Sequence, residues 1–288
     1  MKRICISFFI SLASGFCLAQ PATDIYLFDL SFHKSSVTIS KPRNVTNHKG
    51  YDNQPSFHPA EPILFYSSFN DDGRSDIRAY NYKAKTAWAI TQTSEREYSP
   101  TVTPDRGHLS CIIQRDNNAQ DLGKYPIEGG TPDVIIDNLI VGYHAWADNS
   151  HLALFILGTP NTLHYMRLPT KKDTIVAENI GRSLHRIPGQ TAISFVHKIS
   201  ETQWLIKRLD TQNLSISTLA TTLPGCEDLC WLPDGKILMS DGANVFFLAP
   251  GKTEWQKVTF EGPQTFKGVT RLAVTTDGKK LAMVVSEE

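Results

Sequence analysis

The chain has no excess charge of either sign: 29 lysines and arginines stand against 29 aspartates and glutamates. A neutral balance offers no electrostatic footing on nucleic acid or on an anionic membrane surface, so neither is expected as a partner. Cysteine is scarce. There are five, and Cys5 and Cys17 fall in an N-terminal apolar segment, which leaves Cys111, Cys226 and Cys230. An odd number in an exported chain argues against a disulfide framework. Cys226 and Cys230 could pair across a bend, but two cysteines on one extended strand would stand too far apart. A metal site built on them would need two further soft ligands, and the local sequence supplies none. No window keeps a 3.6-residue apolar period, so almost no helix is expected. G-x-S-x-G, H-E-x-x-H, a P-loop and a dinucleotide fingerprint are all missing. The nearest fragment, Gly181-Arg182-Ser183-Leu184-His185, lacks the second glycine. No cofactor and no resident metal are expected.

Only one long apolar run exists. Ile4 to Leu18 carries no charged residue, follows Met1-Lys2-Arg3 and ends in Cys17-Leu18-Ala19. This is the pattern of a secretory signal peptide, residues 1–19, with cleavage placed after Ala19. A spanning helix needs about 20 apolar residues, and this run is shorter. Phe16 and Ser14 do not fit the lipidation box that would make Cys17 an acylated first residue. The expected product is residues 20–288, released to the periplasm or secreted, with no membrane span after cleavage and 27 basic against 29 acidic residues.

What is abundant is repetition. Glu97–Ile113, EYSPTVTPDRGHLSCII, reads as a short strand, a polar turn and a second strand. Related stretches occupy 53–67, 143–157, 183–196, 228–240 and 271–285. Their turns open at Pro59, Pro104, Asp148, Pro188, Pro233 and Thr276, at spacings of 45, 44, 40, 45 and 43 residues. A period of about 40–45 residues marks a four-stranded propeller blade. Asp76–Tyr82 with Trp88–Thr91, and their counterparts through Asn244–Leu248 with Trp255–Phe260, supply the third and fourth strands. In the turns Pro presets φ, Asp bonds the backbone and Gly takes the left-handed position, as in Pro104-Asp105-Arg106-Gly107 and Pro233-Asp234-Gly235. The last repeat stops after two strands, and Asp24–Thr46 begins with the other two. The fold class is therefore all-β, a six-bladed β-propeller of four-stranded blades, its ring closed by N-terminal strands that complete the C-terminal blade.

The combination of S-P-x-x-x-P-D-x-G, a following L-x-x-I strand and a D-I-Y-like strand resembles the TolB-like six-bladed propeller family, whose repeat also occurs in prolyl-oligopeptidase-type and tricorn-type proteases. Pro126–Ile135 (PIEGGTPDVI) is similar to the Gly-Gly-x-Pro hairpin of those blades. The resemblance covers residues 21–288. It implies a non-enzymatic module of the envelope that offers loops at the channel mouth to a protein or envelope partner, acting as a monomer.

Polar residues near the start of the innermost strands are the candidate site, because those strands converge on the central channel. Asp52, Tyr98, His144, His185, Asp228 and Arg271 are expected at the channel mouth. Asp228 and Arg271, in adjacent blades, are expected to pair. His58, His144 and His185 come from three blades; their convergence would favour the alternative, a channel-centred hydrolase or lyase acting on a carbohydrate or lactone. Their registers differ, which argues against one shared centre. Trp146 and Trp231 are expected in the core between blades. Arg186 breaks the apolar pattern at the equivalent place.

Overall fold

Runs rich in β-branched and aromatic residues, punctuated by Pro-, Asp- and Gly-bearing turns, become strands throughout. The computed structural model describes residues 22–287; the signal-peptide reading of residues 1–19 lies outside them. Among the described residues the only helical element is a 3₁₀ turn, Leu168–Thr170.

The chain begins with a hairpin, β1 (Thr23–His33) and β2 (Ser36–Asn44). Blade 1 follows as β3 (Asp52–Phe57), β4 (Ile63–Phe69), β5 (Ser75–Asn81) and β6 (Thr86–Ala89). Blade 2 is β7 (Arg96–Val102), β8 (His108–Gln114), β9 (Gln120–Pro126) and β10 (Asp133–Ile136). Blade 3 is β11 (Val141–Trp146), β12 (His151–Ile156), β13 (Thr162–Arg167) and β14 (Lys172–Glu178). Blade 4 is β15 (Ile180–Arg186), β16 (Ala192–Lys198), β17 (Trp204–Asp210) and β18 (Ile216–Thr221). Blade 5 is β19 (Leu229–Trp231), β20 (Ile237–Ser240), β21 (Val245–Leu248) and β22 (Gln256–Lys257). A short β23 (Thr259–Glu261) precedes β24 (Leu272–Val274) and β25 (Lys280–Ser286).

Blade 6 is built from both ends of the chain, in the order β23-β2-β1-β25-β24. β1 runs antiparallel to β25 from Thr23 opposite Ser286 to Asp29 opposite Lys280. Asp29 is bound by Lys280 and, at 2.9 Å, by Lys41. The expected single outer strand over Trp255–Phe260 is instead divided. Gln256 and Lys257 stay with blade 5, while Thr259–Glu261 crosses to pair in parallel with β2. The outer edge of the closing blade is thereby covered, which removes a free strand edge.

The turns also differ in one detail from expectation. In the blade-2 turn it is Arg106, at φ 62°, that takes the left-handed conformation, while Gly235 and Gly278 take it in theirs. The Asp105 carboxylate accepts from the Thr103 hydroxyl at 2.6 Å and the Gly107 N–H at 3.0 Å. Those bonds hold a conformation that a non-glycine residue otherwise disfavours.

The apolar core has no single centre. It is divided into six clusters, each between two neighbouring blades. Phe28, on the N-terminal hairpin, is fully buried in the cluster shared by blades 5 and 6, edge-on to Phe260 and Phe266. Emptying such a site costs about 3–5 kcal/mol. Phe28→Ala should lower stability to urea by that amount, in one transition that includes all six blades. Independent unfolding of blade 6, with the other blades still protected from hydrogen exchange, would contradict the closure described.

Candidate functional site in the central channel

The innermost strands β3, β7, β11, β15, β19 and β24 face the axis. Four of them break register, at Asn53/Ser56, Tyr98/Thr101, Val141/Tyr143 and Ile180/Leu184. Such irregularities re-aim side chains. Gln54 and Ser99 hold φ of 56° within strands, each before a proline. Around the axis lies a cavity of about 970 Å³ lined by all six blades. Its mouth is at the turns of Pro59, Pro104, Pro188 and Pro233, and its lining stops at the level of Gln54, Ser99, Tyr143, Arg182, Asp228 and Arg271.

That floor is nearly one column of the repeat. Gln54, Ser99, Tyr143, Asp228 and Arg271 each lie three residues before the position held by Phe57, Val102, Trp146, Trp231 and Val274. In blade 4 the same count falls on Ser183, but the irregularity in β15 brings its neighbour Arg182 to Asp228. Arg182 holds Asp228 with two bonds, Nε to Oδ1 at 3.2 Å and Nη2 to Oδ2 at 2.6 Å. Arg271 approaches the same carboxylate at 3.5 Å. It also reaches across the axis from blade 6 to blade 3, donating to the Tyr143 hydroxyl at 2.8 Å, with its guanidinium 5.0 Å from that ring's centroid. The expected Asp228–Arg271 pair is thus present but is the looser of two. Glu227 sits just behind, accepting from the Arg182 N–H at 3.1 Å and pairing with Lys198 at 3.0 Å. It fits because Gly181 has no side chain; a Cβ there would lie 2.6 Å from the Glu227 carboxylate.

The histidines do different jobs. His58 lies on the first turn, where Nδ1 accepts the Glu61 N–H at 2.7 Å and the Ala60 N–H at 3.2 Å. His144 is buried, and burial pushes it down to about 4. Its Nε2 lies 2.7 Å from the Ser110 hydroxyl. That hydroxyl accepts the Trp146 indole N–H at 2.9 Å and donates to the Thr101 carbonyl at 3.0 Å, which assigns the imidazole proton to Nε2. Nδ1 then carries a lone pair with no partner among the described residues. His185 is likewise pushed down to about 4 by burial and meets the Ser183 hydroxyl at 3.0 Å. Among the described residues, no group of three or more His, Cys, Asp or Glu is placed to hold a metal.

Trp231 repeats the Trp146 arrangement, donating to Ser194 at 2.8 Å. Both indoles pack on inter-blade clusters, as expected, and both also line the cavity. Cys111, Cys226 and Cys230 are free thiols.

Of the residues expected at the channel mouth, His144, His185, Asp228 and Arg271 line the cavity. Asp52 and Tyr98 do not. Asp52 is fully buried, and its backbone carbonyl accepts the Thr23 hydroxyl at 2.9 Å. Tyr98 lies one step farther from the mouth than Ser99. Gln54, Tyr143 and Arg182 also stand among the polar residues that the sequence places near the entries of the innermost strands, and the cavity is lined by all three; Ser99 is the addition, and the repeat column that holds Gln54 and Tyr143 runs through it.

No family profile and no curated protein matches the sequence. Solved structures do match the fold. A putative TolB from Agrobacterium tumefaciens superposes with a TM-score of 0.71 at 14% identity, over 93% of this chain and 99% of that one. TolB from Acinetobacter baumannii gives 0.58 at 14% identity, over 93% of this chain and 64% of that one. A gluconolactonase from Xanthomonas campestris gives 0.62 at 11% identity, over 93% and 98%. At these identities the likeness is one of fold. The class defined is the six-bladed β-propeller with four strands per blade. Within that class the chain has the TolB-like propeller fold.

Two carboxylates give opposite pH signatures. Burial pushes Asp52 up to about 6, with Ser68 and His48 opposing only in part. Its protonation in the folded state stabilises fully below about pH 4, and that stabilisation is lost as pH rises through 6. Asp52→Asn should therefore gain stability relative to the parent between pH 4 and 7, by about 2–3 kcal/mol in urea unfolding. Burial also pushes Asp228 up, but Arg271 and Arg182 outweigh it and hold its carboxyl below the ordinary range. Its contribution is present above about pH 4 and lost as pH falls. Asp228→Asn should cost about 2–4 kcal/mol at pH 7, and the penalty should shrink in acid. A pH-independent difference for either variant would contradict its assignment.

Proposed function

We propose that the protein is a non-enzymatic binding module that takes its ligand or partner segment into the central cavity from the turn-bearing face, and that it works after export. The observation that carries this reading is the 970 Å³ cavity, to which all six innermost strands contribute and whose floor is one polar layer. Concave sites of a few hundred to 1,000 Å³ with a few convergent polar groups are where small molecules and inserted side chains bind. Export is supported by the N-terminal pattern of residues 1–19, and the binding role by the likeness to TolB propellers. The alternative, a channel-centred hydrolase or lyase acting on a carbohydrate or lactone, asked for a tight cluster of histidines and carboxylates in the channel. His58 caps a turn instead, whereas His144, His185 and Asp228 do line the cavity.

A cavity thiol tests the reading. Ala273 lines the cavity, Cys111 and Cys230 are buried, and Cys226 is partly exposed. In a Cys226→Ser background, Ala273→Cys should lose maleimide reactivity by tenfold or more when a ligand or partner is bound. Thr218→Cys, on the outer strand β18, should be unaffected. A tight binder that leaves the Ala273→Cys thiol fully reactive would place the interaction elsewhere.

A further inference from the structure

We propose that the cavity is shaped for a small hydroxylated carboxylic acid, of monosaccharide to disaccharide size, seated with its carboxylate on Arg271. This rests on the reading of the cavity as the binding site. Among the described residues, Arg106, Arg182, Arg186 and Arg271 line it against a single carboxylate, Asp228, in a chain whose formal charges balance. The imbalance is therefore local.

Arg182 takes both oxygens of Asp228, so Arg271 shares that carboxylate only loosely, at 3.5 Å, and keeps most of its N–H donors unused by the protein. Among the described residues, Tyr143 is the one hydrogen-bond acceptor of the Arg271 side chain. A guanidinium has five N–H donors arranged to match a carboxylate in two parallel bonds. One free fork matches one planar monoanion better than a dianion, which would leave a second charge unpaired.

The rest of the wall is neutral and polar. The Gln54 side-chain oxygen accepts from the Ser67 hydroxyl at 2.9 Å and the Ser99 N–H at 2.7 Å, so its NH₂ is left without a protein partner among the described residues. The Ser99 hydroxyl and His144 Nδ1 have no partner among the described residues but are closed off from solvent. The Gln54 amide donor matches a ligand hydroxyl, and leaving such a group unmatched is costly. Trp146 and Trp231 have spent their indole N–H groups on Ser110 and Ser194, so their ring surfaces supply the apolar contact.

Arg106 and Arg186 stand apart from this. Both are exposed at the rim, and among the described residues neither has a carboxylate within 4.0 Å. Charges placed there draw an anion toward the mouth more than they hold it.

The test uses the Ala273→Cys, Cys226→Ser protein and three probes: D-glucuronate, methyl α-D-glucopyranoside as its neutral ring counterpart, and an acetylated tetra-aspartate peptide. Glucuronate should protect the thiol at a concentration at least tenfold lower than the glucoside, with protection weakening as salt is raised. Arg271→Gln should abolish that preference. Because that change touches the Asp228 cluster, Arg106→Gln with Arg186→Gln serves as a variant outside any packed contact; it should fold normally and weaken glucuronate protection two- to fivefold. Equal protection by acid and glucoside, or an unchanged preference in Arg271→Gln, would overturn the inference. So would protection by the peptide alone, which would leave the cavity as the binding site and change its ligand class. No protection by any probe would also overturn it. Calorimetric binding of glucuronate without thiol protection would instead refute the cavity reading itself.

Discussion

Every blade depends on its neighbours for an apolar interior. A four-stranded sheet has two faces, and here each face is buried only against the next blade, so the core exists as six shared wedges. No blade can bury its side chains alone, and the ring must close for the first and last wedges to form. That requirement accounts for the N-terminal hairpin lying between β25 and β23, for the unbroken register from Thr23 to Asp29, and for the capture of Thr259–Glu261 by β2. The site depends on the same closure. Arg271 belongs to the closing blade, and its reach to Tyr143 spans the axis only when the ring is complete.

Much of this architecture was legible because a propeller writes its period into the chain. The turn at Pro233-Asp234-Gly235 and its relatives gave the spacing, and Asp24–Leu30 declared itself a strand in search of a sheet. The division of Trp255–Phe260 between two blades was not legible. A parallel outer pairing leaves no turn residue to announce it, and its cause is the uncovered edge of β2, which lies over 200 residues away in the chain. The left-handed Arg106 was missed for a related reason: what permits it is the Asp105 and Thr103 bonding, not the residue itself.

The candidate site was legible as a place and only in part as a set of residues. Position near the start of an innermost strand says which side chains come close to the axis, and His144, His185, Asp228 and Arg271 do line the cavity. It does not say how deep an irregular strand carries a residue. Asp52 disappears behind the cavity, and the break in β15 exchanges Ser183 for Arg182 at the floor. Tyr143 and Arg271 illustrate the larger limit. They are 128 positions apart and meet only because the ring brings opposite blades within one arginine's length. Most copies of the repeat agree where they build turns and wedges; they differ in the one column that meets at the floor.

The closing blade also gives the molecule a direction. β25 runs from the turn at the mouth toward the floor, and Thr23 lies beside Ser286 at its far end. Both ends of the described chain therefore leave the ring together, on the side opposite the opening. A tether, a leader or a neighbouring domain joined at either end would hang from the base and leave the mouth unobstructed. Anchored that way, the propeller would present its cavity outward, as a cup does when held by its foot.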